Sequence, residues 1–109
     1  MTRYATGRRF EWQTRDALKA GGAVFVMRAA GSKGPADLVA VYPEWVWFVQ
    51  CKVAKPTAEE RAKVQASASA TNQRWAMVWK DGGGVDWLAW KGNRAWKIPP
   101  PGLMDGRAT

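Results

Sequence analysis

The sequence contains no histidine and a single cysteine, Cys51. Without histidine, His-based catalytic triads and the common zinc sites are excluded, and one thiol cannot close an intramolecular disulfide. Long apolar runs are missing too. The longest spans only a handful of residues, too short for a membrane-crossing helix, and Arg3, Arg8 and Arg9 lead into no signal-peptide-like apolar stretch. A soluble intracellular protein, with no membrane partner, is expected. Acidic residues are scarce: nine Asp and Glu against seventeen Lys and Arg leave a net charge of +8, with a pI near 10.2. Such a balance points to a polyanionic partner, because each neutralised phosphate releases condensed counterions. The basic residues are scattered along the chain rather than gathered on one helix face, which favours nucleic acid over a membrane surface. Any chemistry must therefore use carboxylates, amides, hydroxyls, lysines or arginines.

What is present is enough for one domain: 109 residues, 47% hydrophobic and 24% charged. Apolar or small residues at Phe10, Thr14, Ala17, Leu18 and Gly21 predict a helix from Gly7 to about Gly21, ended by Gly21-Gly22. Ala23 to Met27 reads as a strand leading to Arg28, and Ala29 to Pro35 as a loop. Two strands, Asp37 to Tyr42 and Trp45 to Lys52, are joined at Pro43-Glu44. Both are apolar on both faces, as expected of central strands covered by helices. Thr57-Ala58-Glu59-Glu60 is a capping box, so a second helix should run from Ala58 to about Ala70, followed by a strand from Trp75 to Lys80. Gly82-Gly83-Gly84 reads as a flexible break before a short hairpin, Val85 to Trp90 and Arg94 to Ile98. Pro99-Pro100-Pro101 opens an extended or disordered tail over residues 99–109. This order implies an α/β fold, a mixed β-sheet flanked by helices with a short C-terminal β-hairpin.

Several polar residues occupy odd places. Glu11 lies roughly 20° around the helix from Leu18, at the border of the apolar face. Asp37 opens a central strand, where a carboxylate is costly unless hydrogen-bonded, paired or on a metal. Gln50 and Lys52 share a strand face with Val46 and Phe48, so polar groups replace apolar ones where that strand ends. Singly, each has an ordinary explanation: Glu11 paired with Arg8 or Arg15, Asp37 as a turn acceptor, Gln50 and Lys52 as a frayed strand end. Together, a tight hairpin sets Asp37, Gln50 and Lys52 at neighbouring strand ends. That arrangement can hold a divalent metal through Asp37, the Gln50 oxygen and a main-chain carbonyl, with Lys52 near a water.

The ordered set Gly7-Arg8-Arg9-x-Glu11, Arg28, Gly31-Ser32-x-Gly34-x-Ala36-Asp37 and Gln50-Cys51-Lys52 resembles the PD-(D/E)XK nuclease superfamily. Within it, the set is most similar to the archaeal-type Holliday junction resolvases, phage-borne versions included, over roughly residues 3 to 80. The resemblance implies a restriction-endonuclease-like fold, with a single nuclease domain over 1–98, acting as a symmetric homodimer on branched DNA in the cytoplasm, the host's if the chain is phage-encoded. It implies metal ligation by Glu11, Asp37, Gln50 and the Cys51 main-chain carbonyl, with Mg²⁺ as the ion and Mn²⁺ as its alternative. Lys52 takes the part of the catalytic lysine, Ser32 that of an active-site loop residue, and Arg8, Arg9, Arg28 and Lys33 those of DNA contacts. Two positions depart from the pattern: Ala36 stands where proline is usual, and Gln50 where glutamate is usual. Other readings are a duplex-cutting nuclease of the same superfamily and a non-catalytic DNA-binding module on a degenerate nuclease fold.

Eight tryptophans complete the picture. Trp45, Trp47, Trp75 and Trp79 are expected in the core. Trp12 falls on the polar side of the first helix, and Trp87, Trp90 and Trp96 are expected to form aromatic surface outside the core.

Overall fold

The computed structural model describes residues 3–29 and 34–103, with side chains from residue 6 onward. Helix α1 (Arg3–Ala20) buries Phe10, Thr14 and Leu18 along one stripe. Thr14 is tolerated there because its hydroxyl donates to the Phe10 carbonyl at 2.8 Å, satisfying the polar atom inside the helix. Strands β1 (Phe25–Arg28), β2 (Leu38–Val41) and β3 (Val46–Lys52) follow as an antiparallel meander, with Tyr42 N donating to Trp45 O across the Pro43-Glu44 connection. Helix α2 (Ala58–Thr71) begins with the expected capping box and crosses over to β4 (Arg74–Asp81), which pairs parallel to β3. Strands β5 (Gly84–Lys91) and β6 (Arg94–Trp96) return antiparallel, so six strands form one mixed sheet in the order β1 to β6. No described helix is long and apolar enough to cross a membrane.

Three expectations change. Residues 82–84 are not a flexible break: Asp81 pairs with Gly84 across a tight turn in which Gly82 takes φ +60°. The C-terminal hairpin continues the main sheet. Trp90 is accordingly buried, while Trp87 and Trp96 pack against the core rather than stand outside it. Finally, residues 99–103 do not extend away as a tail. Pro100 and Leu103 are buried, Tyr42 donates its hydroxyl to Pro101 O at 3.0 Å, and the chain passes so close to the end of α1 that a Cβ on Gly102 would sit 2.0 Å from Ala17 O. Packing overrides the extended preference of the proline run here; residues 104–109 lie outside the described residues.

The helices divide the sheet unequally. Leu38, Ala40, Trp47, Val49, Ala76 and Val78 form a core with α1, whereas α2 seals Trp75, Met77, Trp79 and Trp90 on the opposite face. Since α2 packs on β4 and β5, the expected cover over both faces of β2 and β3 is incomplete. Across the register Phe25–Val41–Val46 and Met27–Val39–Phe48, one apolar face of β1 to β3 stays partly open, with Phe25 at 45% and Met27 at 50% exposure.

Candidate active site

At the end of β3 the sheet opens into a cleft of about 590 Å³, walled by Gly7, Glu11, Asp37, Cys51, Lys52, Val53, Ala54, Lys55 and Glu60. Each wall follows from local structure. Glu11 stands on the border of the buried stripe of α1, close enough to the sheet for Arg28 Nε to donate to its Oε1 at 3.2 Å. Arg28 is therefore a partner of Glu11 from another element, while Arg15, one of the expected alternatives, pairs with Asp16 at 3.1 Å.

Asp37 lies one residue before β2. Its backbone N–H donates to Val49 O at 2.8 Å, and its Oδ2 accepts from Cys51 N at 2.8 Å. The second bond ties the carboxylate across the strand pair, so the hairpin register aims it at the end of β3. Burial raises the pKa of Asp37 above its ordinary 3.8, and the Glu11 charge adds to the rise, while the Cys51 hydrogen bond, Lys52 and Arg28 oppose it. The net rise means that Lys52 and Arg28 only partly offset burial and the second carboxylate, a condition that a bound cation relieves.

Lys52 ends β3 and pairs with Glu60 Oε2 at the start of α2. That pairing, followed by the Thr57 backbone N–H, holds the Glu60 pKa below its ordinary value. The Cys51 thiol packs against the core under α1, and burial pushes its pKa far up, so it is inert. Gln50 is not on the cleft wall; its Oε1 is enclosed without a hydrogen-bond partner among the described residues.

The structure thus brings together Glu11, Asp37, Cys51 and Lys52 as expected. Arg8 and Arg9 lie on α1 between the cleft residues Gly7 and Glu11 in sequence but are not on the cleft wall, Arg9 being exposed, and Arg28 reaches the cleft through Glu11. Ser32 and Lys33 lie outside the described residues. Among the described residues, no three His, Cys, Asp or Glu side chains form a ready metal cluster, so the set of donors depends on amide and carbonyl oxygens as well. Sequence reasoning missed Glu60 as a cleft residue. Its capping box marked where the helix starts, but nothing in that motif says what else the Glu60 carboxylate faces.

The sequence matches a family model described as archaeal Holliday junction resolvase (Hjc) over residues 2–109. Among solved structures, it is similar to Hjc of Archaeoglobus fulgidus, described as a Holliday junction resolvase from an archaeal hyperthermophile. That likeness has a TM-score of 0.59 at 22% identity, covering 79% of this chain and 72% of that one. No curated protein matches.

Proposed function

Because the chain belongs to the archaeal Holliday junction resolvase family, and is thereby a structure-selective, divalent-metal-dependent endonuclease that binds branched DNA, we propose that the cleft between α1 and α2 is its catalytic centre, that Mg²⁺ serves it, and that it works as a homodimer in the cytoplasm. The observation that carries this reading is the convergence of Glu11, Asp37, Cys51 and Lys52 from separate elements on one open cleft.

The cleft wall offers donors that suit a hard cation, two carboxylates and the Cys51 carbonyl, and the Gln50 amide oxygen behind that wall would join them on turning into the cleft. The fit is supported by the Gln50 Oε1, since a polar atom enclosed without a partner is costly and ligation would satisfy it. A bound cation supplies neutralisation of charge on the scissile phosphate and acidifies water. Glu11 and Asp37 would hold that cation, with Arg28 fixing the direction of Glu11 and the Cys51 N–H fixing that of Asp37. Lys52 supplies positive charge where the attacking and phosphate oxygens meet. Arg8, Arg9, Arg28 and Lys33 would carry the phosphates on either side, and the family resemblance assigns Ser32 to the same centre.

The decisive experiment incubates labelled four-way junction and labelled duplex with the protein, with and without Mg²⁺. Paired incisions in the junction that require Mg²⁺ are expected. Equal cutting of the duplex would make this a duplex nuclease, and tight binding without incision a non-catalytic module. Gln50 has its own signature. Gln50→Glu adds a negative charge to the donor set and should lower the Mg²⁺ concentration for half-maximal cleavage a few-fold, with little change or a modest fall in the saturated rate. If neither Gln50→Glu nor Gln50→Ala moves that midpoint, Gln50 is not a ligand.

Dimerisation is supported by the arithmetic of the task. A junction is resolved by two symmetry-related cuts, and each chain contributes one such cleft. The open face of β1 to β3 suits a second copy because its exposed side chains Phe25 and Met27 are apolar and it ends at an edge strand.

A further inference from the structure

We infer that Glu60 is a positioning residue for Lys52, using the N-terminal cap of α2 as its anchor. The inference rests on the assignment of Lys52 to the catalytic centre. Glu60 is the third residue of α2, and its two carboxylate oxygens have separate duties. Oε1 accepts from the Thr57 backbone N–H at 2.9 Å, while Glu60 N donates to Thr57 Oγ1 at 3.1 Å, completing the capping box. Oε2 pairs with Lys52 Nζ.

An isolated surface ion pair contributes little, since two long side chains must both give up rotamer freedom. In this pair Glu60 is already immobilised by the cap, so the ordering cost falls mainly on Lys52. Lys52 needs such a restraint because it is the last residue of β3, where the ladder with β4 ends at the Lys52–Trp79 pair. A flexible four-carbon stem would otherwise let the ammonium wander across a cleft of this width.

The charge of Glu60 is also more than the helix requires. Glutamine at the same position completes a capping box equally well. What glutamate adds is a full negative charge on the oxygen that faces Lys52. The cleft then contains three carboxylates, Glu11, Asp37 and Glu60, with Lys52 acting electrostatically on both Asp37 and Glu60. Lys52 is thus held between the helix cap and the metal-binding side of the cleft.

The test uses single-turnover cleavage of pre-bound four-way junction at saturating Mg²⁺, comparing Glu60→Gln, Lys52→Ala and the double variant. Glu59→Gln is the control, because it removes a charge one residue away from an exposed position outside the cleft wall. Glu60→Gln should keep the fold, the junction affinity measured in Ca²⁺ and the Mg²⁺ midpoint, yet cut at least about tenfold more slowly, a change in the chemical step rather than in binding. In the Lys52→Ala background it should slow cleavage no further, since its effect runs through Lys52. Glu59→Gln should cut at the wild-type rate. Wild-type cutting by Glu60→Gln, an equal loss in Glu59→Gln, or a further full loss in the double variant would overturn the inference while leaving the catalytic centre intact. Wild-type cutting by Lys52→Ala would instead overturn the assignment of the centre itself.

Discussion

Asp37→Asn should abolish junction cleavage while making the metal-free protein more stable at neutral pH. Loss of a charged metal ligand removes several kcal/mol of charge stabilisation in the transition state, and about 4 kcal/mol corresponds to roughly a thousandfold in rate. The stability change has the opposite sign. Burial and the neighbouring Glu11 raise the Asp37 pKa above 3.8, so the folded chain binds this proton more tightly than the unfolded chain. The stabilisation that protonation brings is complete below pH 3.8 and is lost as pH rises through the raised pKa. At neutral pH the cost of ionising Asp37 is fully in place. Asparagine removes that charge, and its side-chain oxygen can still accept from Cys51 N. Thermal unfolding with EDTA present should therefore give a higher Tm for the variant at pH 7, and the difference should shrink towards pH 3. A lower Tm at pH 7 would show that the hydrogen bond from Cys51 requires the full charge. Because proton and cation compete for this carboxylate, the acid limb of cleavage by the native protein should move to lower pH as the Mg²⁺ concentration is raised.

Much of this centre is legible in the sequence because it depends on short-range geometry. A two-residue connection at Pro43-Glu44 fixes the β2–β3 register, and that register sets Asp37 against the end of β3 whatever else the chain does. Helical periodicity likewise places Glu11 towards the sheet. What escapes is whatever depends on how elements pack. Glu11 pairs with Arg28, seventeen residues away on another element, which no pattern within its own helix encodes. Glu60 reaches Lys52 only because the crossover from β3 to α2 brings the cap over the cleft, and no periodicity encodes that angle. The proline run at 99–101 has an extended preference, yet Pro100 and Leu103 find buried places beside the end of α1. The two-sided apolar character of β2 and β3 implies helix cover on both faces, which only one face has. Alternating Val39, Val41, Val46 and Phe48 would look the same under a helix or under another protein chain, so only the position of α2 on β4 and β5 separates the two cases.

That open face yields the other large expected effect: with the proposed homodimer built on it, Phe25→Asp should give a monomer that nicks. Phe25 is at 45% exposure on edge strand β1, in register with Val41 and Val46, so in the isolated chain an aspartate there would remain in water and disturb little. In a dimer with this face at its centre, the same carboxylate would be buried without a partner, once from each copy if the interface is isologous. Losing the apolar contact costs roughly 2 kcal/mol per phenylalanine, and stranding each charge adds several more. Two copies of both effects should weaken association by at least about a thousandfold, since every 1.4 kcal/mol is a factor of ten. Sedimentation should then report a dimer for the native protein and a monomer for the variant at the same concentration, with an unchanged far-UV spectrum and a Tm extrapolated to low concentration that matches the native chain. Phe25 is not on the wall of the catalytic cleft, so each monomer should still incise one strand of a bound junction in Mg²⁺. Paired incision within the lifetime of one complex should disappear, which a supercoiled cruciform plasmid reads as nicked rather than linear product. A variant that remains dimeric and linearises the plasmid at the native rate would place the dimer contact elsewhere.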